Sequence, residues 1–379
     1  MDRRHFLCSS IACLVGTGIA NSARASVPSG PRFLGARDDL NGRSYATAFD
    51  LYGRLSINIP TPGRGHGAAF DAERGQAVMF SRRPGTWMAI IDTGSGALLR
   101  EVSAAVGRSF NGHGCFCAGH LFVSETLERG SFDGAQAGHG LIGQGVIGVY
   151  DPDDAYRRIG EFPSHGLDPH DIRAADGQTL VVANGGLLID RDAPRVKLNL
   201  ATMEASLAYF DARDGQLIAH HRLAPQHHQL SIRHLAIAGD GTVAVAMQFE
   251  GPSTARPPLV ALHRDRHAAP TLLELPDPIL ASLRNYCGSA AVDAGGQTLA
   301  VSSPRGGLTA FVDIASGKSI GTSSLADGCG LAANGSPGGF ILSSGLGGVI
   351  VCGEASVNHA LPGEALARSR WDNHLLALG

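Results

Sequence analysis

Two short stretches carry the same arrangement of side chains, PGRGHGAAFD from Pro62 to Asp71 and FNGHGCFCAG from Phe110 to Gly119. Each sets a histidine between glycines just before an apolar run. Histidine or cysteine stands in a comparable place at His170, His234, Cys287, Cys329 and His374. Neutral imidazole and thiolate are good ligands for iron, copper, zinc and nickel. Ring nitrogens must come within ~2.0–2.1 Å of an ion such as zinc to bind it. Scattered along an extended chain these residues could do nothing together, so the chemistry depends on whether the fold gathers them.

The text between the markers is repetitive. A polar turn, an apolar alternation, an Asp-Gly or Gly-Gly pair, a second alternation and a third ending in aspartate recur, as in RGHGAAFDAERGQAVMFSRRPGTWMAIIDTGSG and YCGSAAVDAGGQTLAVSSPRGGLTAFVDIASG. Such glycine pairs between alternating runs are hairpin signals. Helix signals are confined to the neighbourhoods of Pro278–Leu283 and Pro362–Ala367. Successive markers are 47, 57, 64, 53, 42 and 45 residues apart; the shortest steps match the ~40–45 residues of a propeller blade, and the longer ones carry insertions. Only HLLALG follows the last marker. The chain from Arg32 supplies RFLGARD, SYATAFDL and RLSINIP, three strands lacking a first. These observations predict an all-β fold, a seven-bladed β-propeller over residues 26–379, closed by N-terminal strands pairing with the C-terminal strand. Closure removes the exposed edges that favour aggregation. A β-sandwich would explain neither the seven markers nor the complementary chain ends.

The first strand of a propeller blade lines the central channel, so markers placed just ahead of first strands would collect at one mouth. The candidate metal ligands are His66, His113, His170, His234 and His374, with Cys329 as a softer option. Arg64, Asn111, Asp168, Asp171, Arg233, Asp327, Asp372 and Asn373 are placed to orient the rings or line the pocket. His165 could reach the same mouth from a connecting turn. A single histidine beside glycine is usually a turn residue donating to a carbonyl; recurrence at equivalent repeat positions favours a functional cluster. The other histidines, including His220, His221, His227 and His228, read as surface. Two loops should share the face of the mouth as lids or partner surfaces. They are 126–143, with His139, and 185–205, with Asp190, Arg191, Asp192, Arg195 and Lys197. Glu250 and Arg305 sit at comparable turns.

The first 25 residues read as a twin-arginine export signal: Arg3-Arg4, a modest apolar stretch, then Ala23-Arg24-Ala25. The apolar run is short of the ~20 residues of a membrane span and is broken by Gly16 and Gly18. Lipid attachment at Cys13 is disfavoured by Ser10 and by the apolar stretch continuing past Cys13. The expectation is a periplasmic protein without a membrane span in its mature form. Twin-arginine substrates cross folded, which favours an ion loaded beforehand. The net charge is −3 and no basic block exists, so nucleic acid is not an expected partner. Cys115, Cys117, Cys287, Cys329 and Cys352 remain after the signal, an odd number and too few for a disulfide framework. No GxSxG, HExxH, Walker or dinucleotide-binding motif marks a catalytic centre.

RGHGAAF, GVIGVYD, IGEFPSHGLDPHDIR, LVVANGG, KLNLATMEASLAY, LSIRHLA, SSPRGG and WDNHL together resemble the DUF1513 family of exported bacterial proteins, over essentially the whole mature chain. The resemblance implies a YncE-like propeller of unknown function with a twin-arginine signal. It also implies a role beside imelysin-type iron-handling proteins of the periplasm. The family pattern often has valine where NYCGS has Cys287, which argues against that residue as a ligand. The expected function is therefore binding of a transition metal or metal complex in iron uptake or handling, the ion being iron or alternatively copper or zinc. The alternatives are two. One is a metal-dependent enzyme, an oxidoreductase or lactonase-like hydrolase, with Asp168, Asp171 or Asp372 as acid or base. The other is an interaction scaffold without metal.

Overall fold

Runs such as QAVMFS and WMAIID are apolar on both faces, a pattern that suits strands packed between two neighbouring sheets rather than against water. In the computed structural model, which describes residues 32–128, 144–189, 196–353 and 358–378, Gln76–Ser81 and Trp87–Asp92 are buried on both sides, whereas Leu98–Ser103 is largely exposed. The export signal with Cys13, and His139, Asp190, Arg191, Asp192 and Arg195, lie outside the described residues.

The strands form seven four-stranded antiparallel sheets. Their innermost strands are, in chain order, Gly65–Asp71, Arg108–Cys117, Pro169–Ala174, Leu230–Ile237, Ser289–Val292, Gly328–Ala333 and Arg370–Leu378. Each packs against the next, and the last packs against the first. The fold is thus a seven-bladed β-propeller, with blades numbered here from Gly65–Asp71. In blade seven Arg32–Asp38 pairs with Arg370–Leu378, from Arg32↔Leu378 to Asp38↔Arg370, so the chain ends close the ring as the sequence predicts. The seam is filled by aromatic side chains: Phe49 lies 5.3 Å from Trp371 and 5.7 Å from Phe33, all three fully buried.

The aspartates ending third strands have a local cause. Asp50 accepts the N–H groups of Tyr52 and Arg54, and Asp92, Asp211 and Asp313 accept those of Ser95, Arg213 and Ser316. Each carboxylate closes the turn into the fourth strand by satisfying backbone donors that the hairpin leaves unpaired. The two expected helical segments are present as Asp277–Leu283 and Glu364–Ala367. No helix among the described residues is long and apolar enough to cross a membrane.

The markers lie inside the innermost strands, not just ahead of them; only Cys287 precedes its strand. The inner ladder slips at each of the other six. The slips fall between Gly65 and Ala68, Phe110 and Gly114, Pro169 and Asp171, Ile232 and His234, and Gly328 and Leu331, and along the C-terminal strand between Trp371 and Leu375. The inner ladder of blade five, the blade of Cys287, runs in unbroken register. A bulge adds a residue to one strand and re-aims its side chains. It also interrupts the alternation by which a strand is recognised, which is why the strands seemed to begin after the histidines.

If the seam depends on its aromatic packing, Phe49→Ala should lower stability by about 3–5 kcal/mol. Urea denaturation checks this; a loss below about 1 kcal/mol would show that ring closure does not rest on that cluster.

Candidate metal centre

The bulges turn five imidazoles from five blades into the channel. Ring centroids of neighbours are 4.6 Å apart for His374 and His66, 4.9 Å for His66 and His113, 5.3 Å for His113 and His170, and 4.8 Å for His170 and His234. His234 and His374 close the set across the channel at 4.7 Å. All five are buried, His113 and His234 to 2 % exposure. They lie within the channel rather than around its rim.

Glycine makes the approach of the first two blades feasible. A Cβ on Gly67 would stand 2.6 Å from the Gly112 carbonyl oxygen and 2.9 Å from His113 Nδ1. One on Gly112, whose φ is +95°, would stand 2.7 Å from His66 Cδ2. The Gly-His-Gly text therefore has a steric reason at these two positions.

Two carboxylates back the rings. Asp372 Oδ1 lies 2.5 Å from His66 Nδ1, while its Oδ2 accepts from Arg64 Nε at 2.5 Å and Arg82 Nη1 at 3.0 Å. Burial alone would raise this carboxyl, but His66, Arg82 and Arg64 outweigh it and hold it far below the usual carboxylate range. An ionised acceptor requires Nδ1–H on His66, so Nε2 is the nitrogen left for a ligand. Asp171 Oδ1 lies 3.4 Å from His113 Nδ1 in a looser version of the same arrangement. Asp171 also accepts the backbone N–H of Leu235 at 3.0 Å, tying blade three to the bulge of blade four.

Among the described residues, His113 Nε2, His170 Nδ1, both nitrogens of His234 and His374 Nε2 are buried without a hydrogen-bond partner. Burial, together with neighbouring rings and guanidinium groups, pushes His113, His170, His234 and His374 well below the ordinary imidazole value. They are neutral, the form that binds metal. Two ligand sets stand out, His66–His113–His170 and His113–His234–His374, in each of which the donor atoms lie within 4.8 Å of one another. A tetrahedral ion with ~2.1 Å bonds spaces its nitrogens by roughly 3.4 Å, so the rings need swing inward only by about an ångström. The donor set fits a borderline transition-metal ion.

The other predicted residues divide sharply. Arg64 also reaches Asp38 at 2.9 Å, and Asn111 donates to the Pro169 carbonyl at 3.0 Å across the blade two–three boundary. Asp168 bridges Arg83 and Arg233, and Asn373 donates to the Tyr286 hydroxyl at 2.9 Å. Asp327 is half-buried at the start of blade six, raised by burial against the pull of Arg64. Cys329 is placed elsewhere: its thiol donates to the carbonyls of Asp372 at 3.2 Å and Ser343 at 3.4 Å, in the apolar seam with Phe33 and Trp371. Burial pushes that thiol up to about 12, and it belongs to neither ligand set. His165 is exposed on the outer strand of blade two, against Phe210, and does not reach the channel mouth. His263 was expected at the surface; it is buried between the Tyr209 hydroxyl at 2.6 Å and the Ala268 carbonyl at 2.7 Å.

Sequence reasoning missed Arg82, Arg83, Arg173 and Tyr286. Arg82 and Arg83 occupy the second-to-third strand turn of blade one, the repeat position at which Glu250 and Arg305 were noticed. Carrying the repeat register through that turn would have found them.

The fold and the site define a β-propeller with a histidine cluster buried in its channel. The chain belongs to the family described as "Protein of unknown function (DUF1513)", whose model matches residues 59–378. No curated protein matches it.

Below about pH 6.5 the unfolded chain takes up protons that four of the buried rings refuse. Metal-free protein should therefore lose stability as pH falls, by up to ~1.4 kcal/mol per pH unit for each ring. Thermal melting from about pH 8 to about pH 5 reads this; a flat profile would mean that the rings accept protons while folded. Asp372→Asn should cost about 1–3 kcal/mol by urea denaturation, because the buried amide replaces the charged acceptor of His66, Arg64 and Arg82 while half-exposed Arg64 keeps Asp38.

Proposed function

We propose that the protein binds one transition-metal ion in its channel through three of the five histidines, with His113 common to either arrangement. The observation that carries this reading is the set of five buried imidazole nitrogens with no partner. Each would cost about 1–3 kcal/mol if left unsatisfied, and an ion repays that cost at several rings together. The donors are neutral nitrogens without thiolate or ligating carboxylate, a set suited to iron, copper or zinc. Asp372 supplies the outer negative charge that raises ligand basicity, and Asp171, its carboxyl raised by burial, stands 3.4 Å from His113.

Binding is favoured over hydrolysis by the state of the acid–base candidates. Asp372 is committed to His66 and two arginines, Asp168 to two arginines, and Asp171 to backbone N–H groups and Arg173. None is free to serve a water molecule. With the export signal and the family's expected company of imelysin-type proteins, the proposed setting is iron handling in the periplasm.

Protein purified from its native compartment without affinity-tag histidines should carry near-stoichiometric metal by elemental mass spectrometry. His113→Ala should abolish it, and His234→Ala should lower retention. An empty protein that also takes up no iron, copper or zinc would overturn the metal reading. Asp372→Asn should weaken affinity by about 10–100-fold in competition with a chelator.

A further inference from the structure

Beside the channel mouth lies a second site that the histidines do not use. The second-to-third strand turns of blades four and five, the segment after helix Asp277–Leu283 and Lys197 of the blade-three insertion line a cavity of about 490 Å³. Its charged lining is Lys197, Glu250, Arg256, Arg284 and Arg305, with the amides of Gln248 and Asn285 beside them. Lys197 is paired with Glu250 through Oε2, so the net charge of the lining comes from three guanidinium groups. Neither Arg284 nor Arg305 has a carboxylate partner among the described residues; Arg305 is held over the Tyr286 ring at 4.6 Å.

Two of the lining residues also carry unmet acceptors. Glu250 Oε1 and Asn285 Oδ1 are buried without a hydrogen-bond partner among the described residues. The Glu250 side chain is 4 % exposed and Asn285 is 7 % exposed. Arg284 and Asn285 occupy consecutive left-handed conformations, with φ of +50° and +57°. Such backbone persists in non-glycine residues when its surroundings over-determine it. Here the Asn285 carbonyl accepts from Phe249 N–H at 3.0 Å, fixing the segment against the wall.

A ligand satisfying both features needs several negative oxygens for the guanidiniums and at least one O–H donor for the buried acceptors. Sulfate meets the first need and not the second, and hydrogenphosphate, although it carries an O–H, presents a single anionic centre to three guanidinium groups. We infer that this cavity binds a small polycarboxylate bearing a hydroxyl group, its carboxylates on Arg256, Arg284 and Arg305 and its hydroxyl donating to Glu250 Oε1 or Asn285 Oδ1. Arginine suits planar carboxylates because its donors engage two oxygens at once. Since Arg305 also covers Tyr286, which bonds Asn373 next to Asp372, an occupant would sit at the edge of the channel.

The test is isothermal titration of metal-free mature protein with citrate and with tricarballylate, which has the same three carboxylates and no hydroxyl. Citrate should bind, and tricarballylate should bind about tenfold more weakly, the value of a hydrogen bond to a charged group. Arg284→Ala should weaken citrate by about tenfold or more. Arg284 is exposed, so its melting temperature should be unchanged, and circular dichroism confirms the fold. Absence of citrate binding at millimolar concentration, or binding indifferent to Arg284→Ala, would overturn the site. Equal affinity for citrate, tricarballylate and phosphate would overturn the hydroxycarboxylate assignment. Because the protein is metal-free, none of these results depends on the histidine cluster holding an ion.

Discussion

Asp372 is a fully buried carboxylate on the strand that closes the ring, and much of the structure is arranged around it. It orients His66, anchors Arg64 and Arg82 of blade one, and through Arg64 is linked to Asp38 of the N-terminal strands. One side chain thus joins the last strand, the first complete blade and the three strands that complete blade seven. A charge removed from water is tolerated only when it is paired and hydrogen-bonded on every side. Asp372 meets that condition with four donors, the backbone N–H of Asn373 being the fourth. The closure of the propeller and the orientation of its central histidine therefore share one electrostatic origin.

The bulge is the second recurring device. A regular inner strand alternates its side chains between the two flanking blades and would send a histidine into an apolar inter-blade core. A slip of register at the histidine re-aims the side chain toward the axis while leaving the rest of the strand in its alternation. Blade five shows the contrast: its inner ladder is unbroken, and Cys287 ends in the apolar core with Met247 and Leu299. Blade six keeps a bulge, yet Cys329 turns into the seam beside Trp371. A bulge permits an inward-facing ligand without guaranteeing one.

The ring was legible because its period is long-range and redundant. Five histidines at repeat-equivalent positions and two incomplete chain ends each imply closure, and both were readable as text. The depth of the histidines was not, because a bulge breaks the alternation that reveals strands. The same weakness misplaced His165, five residues from His170 in sequence but on the opposite edge of the neighbouring blade. Arg82 and Arg83 went unseen for a different reason. Their importance comes from contacts with Asp372 and Asp168, which lie 290 and 85 residues away in sequence. His263 follows the same rule, since its burial depends on Tyr209 from the adjacent blade.

The number of histidines exceeds what one ion needs, and this has a thermodynamic consequence. Three rings suffice for a ligand set, and the two candidate sets share His113. Two divalent ions on overlapping sets would repel strongly at such short range in a buried site. One ion is the arrangement that the spacing supports, with the remaining rings serving as an alternative set or as a polar lining. Without an ion, five nitrogens stay unsatisfied in a channel that excludes protons from four of the rings. Ligand binding to the native state alone stabilises it by mass action. Here the unfilled cluster itself is costly, so the proposed ion would couple to folding twice, through its affinity and through the relief of the buried nitrogens. A propeller closed by Asp372 can carry that cost because the apolar clusters between its blades contain none of the five histidines.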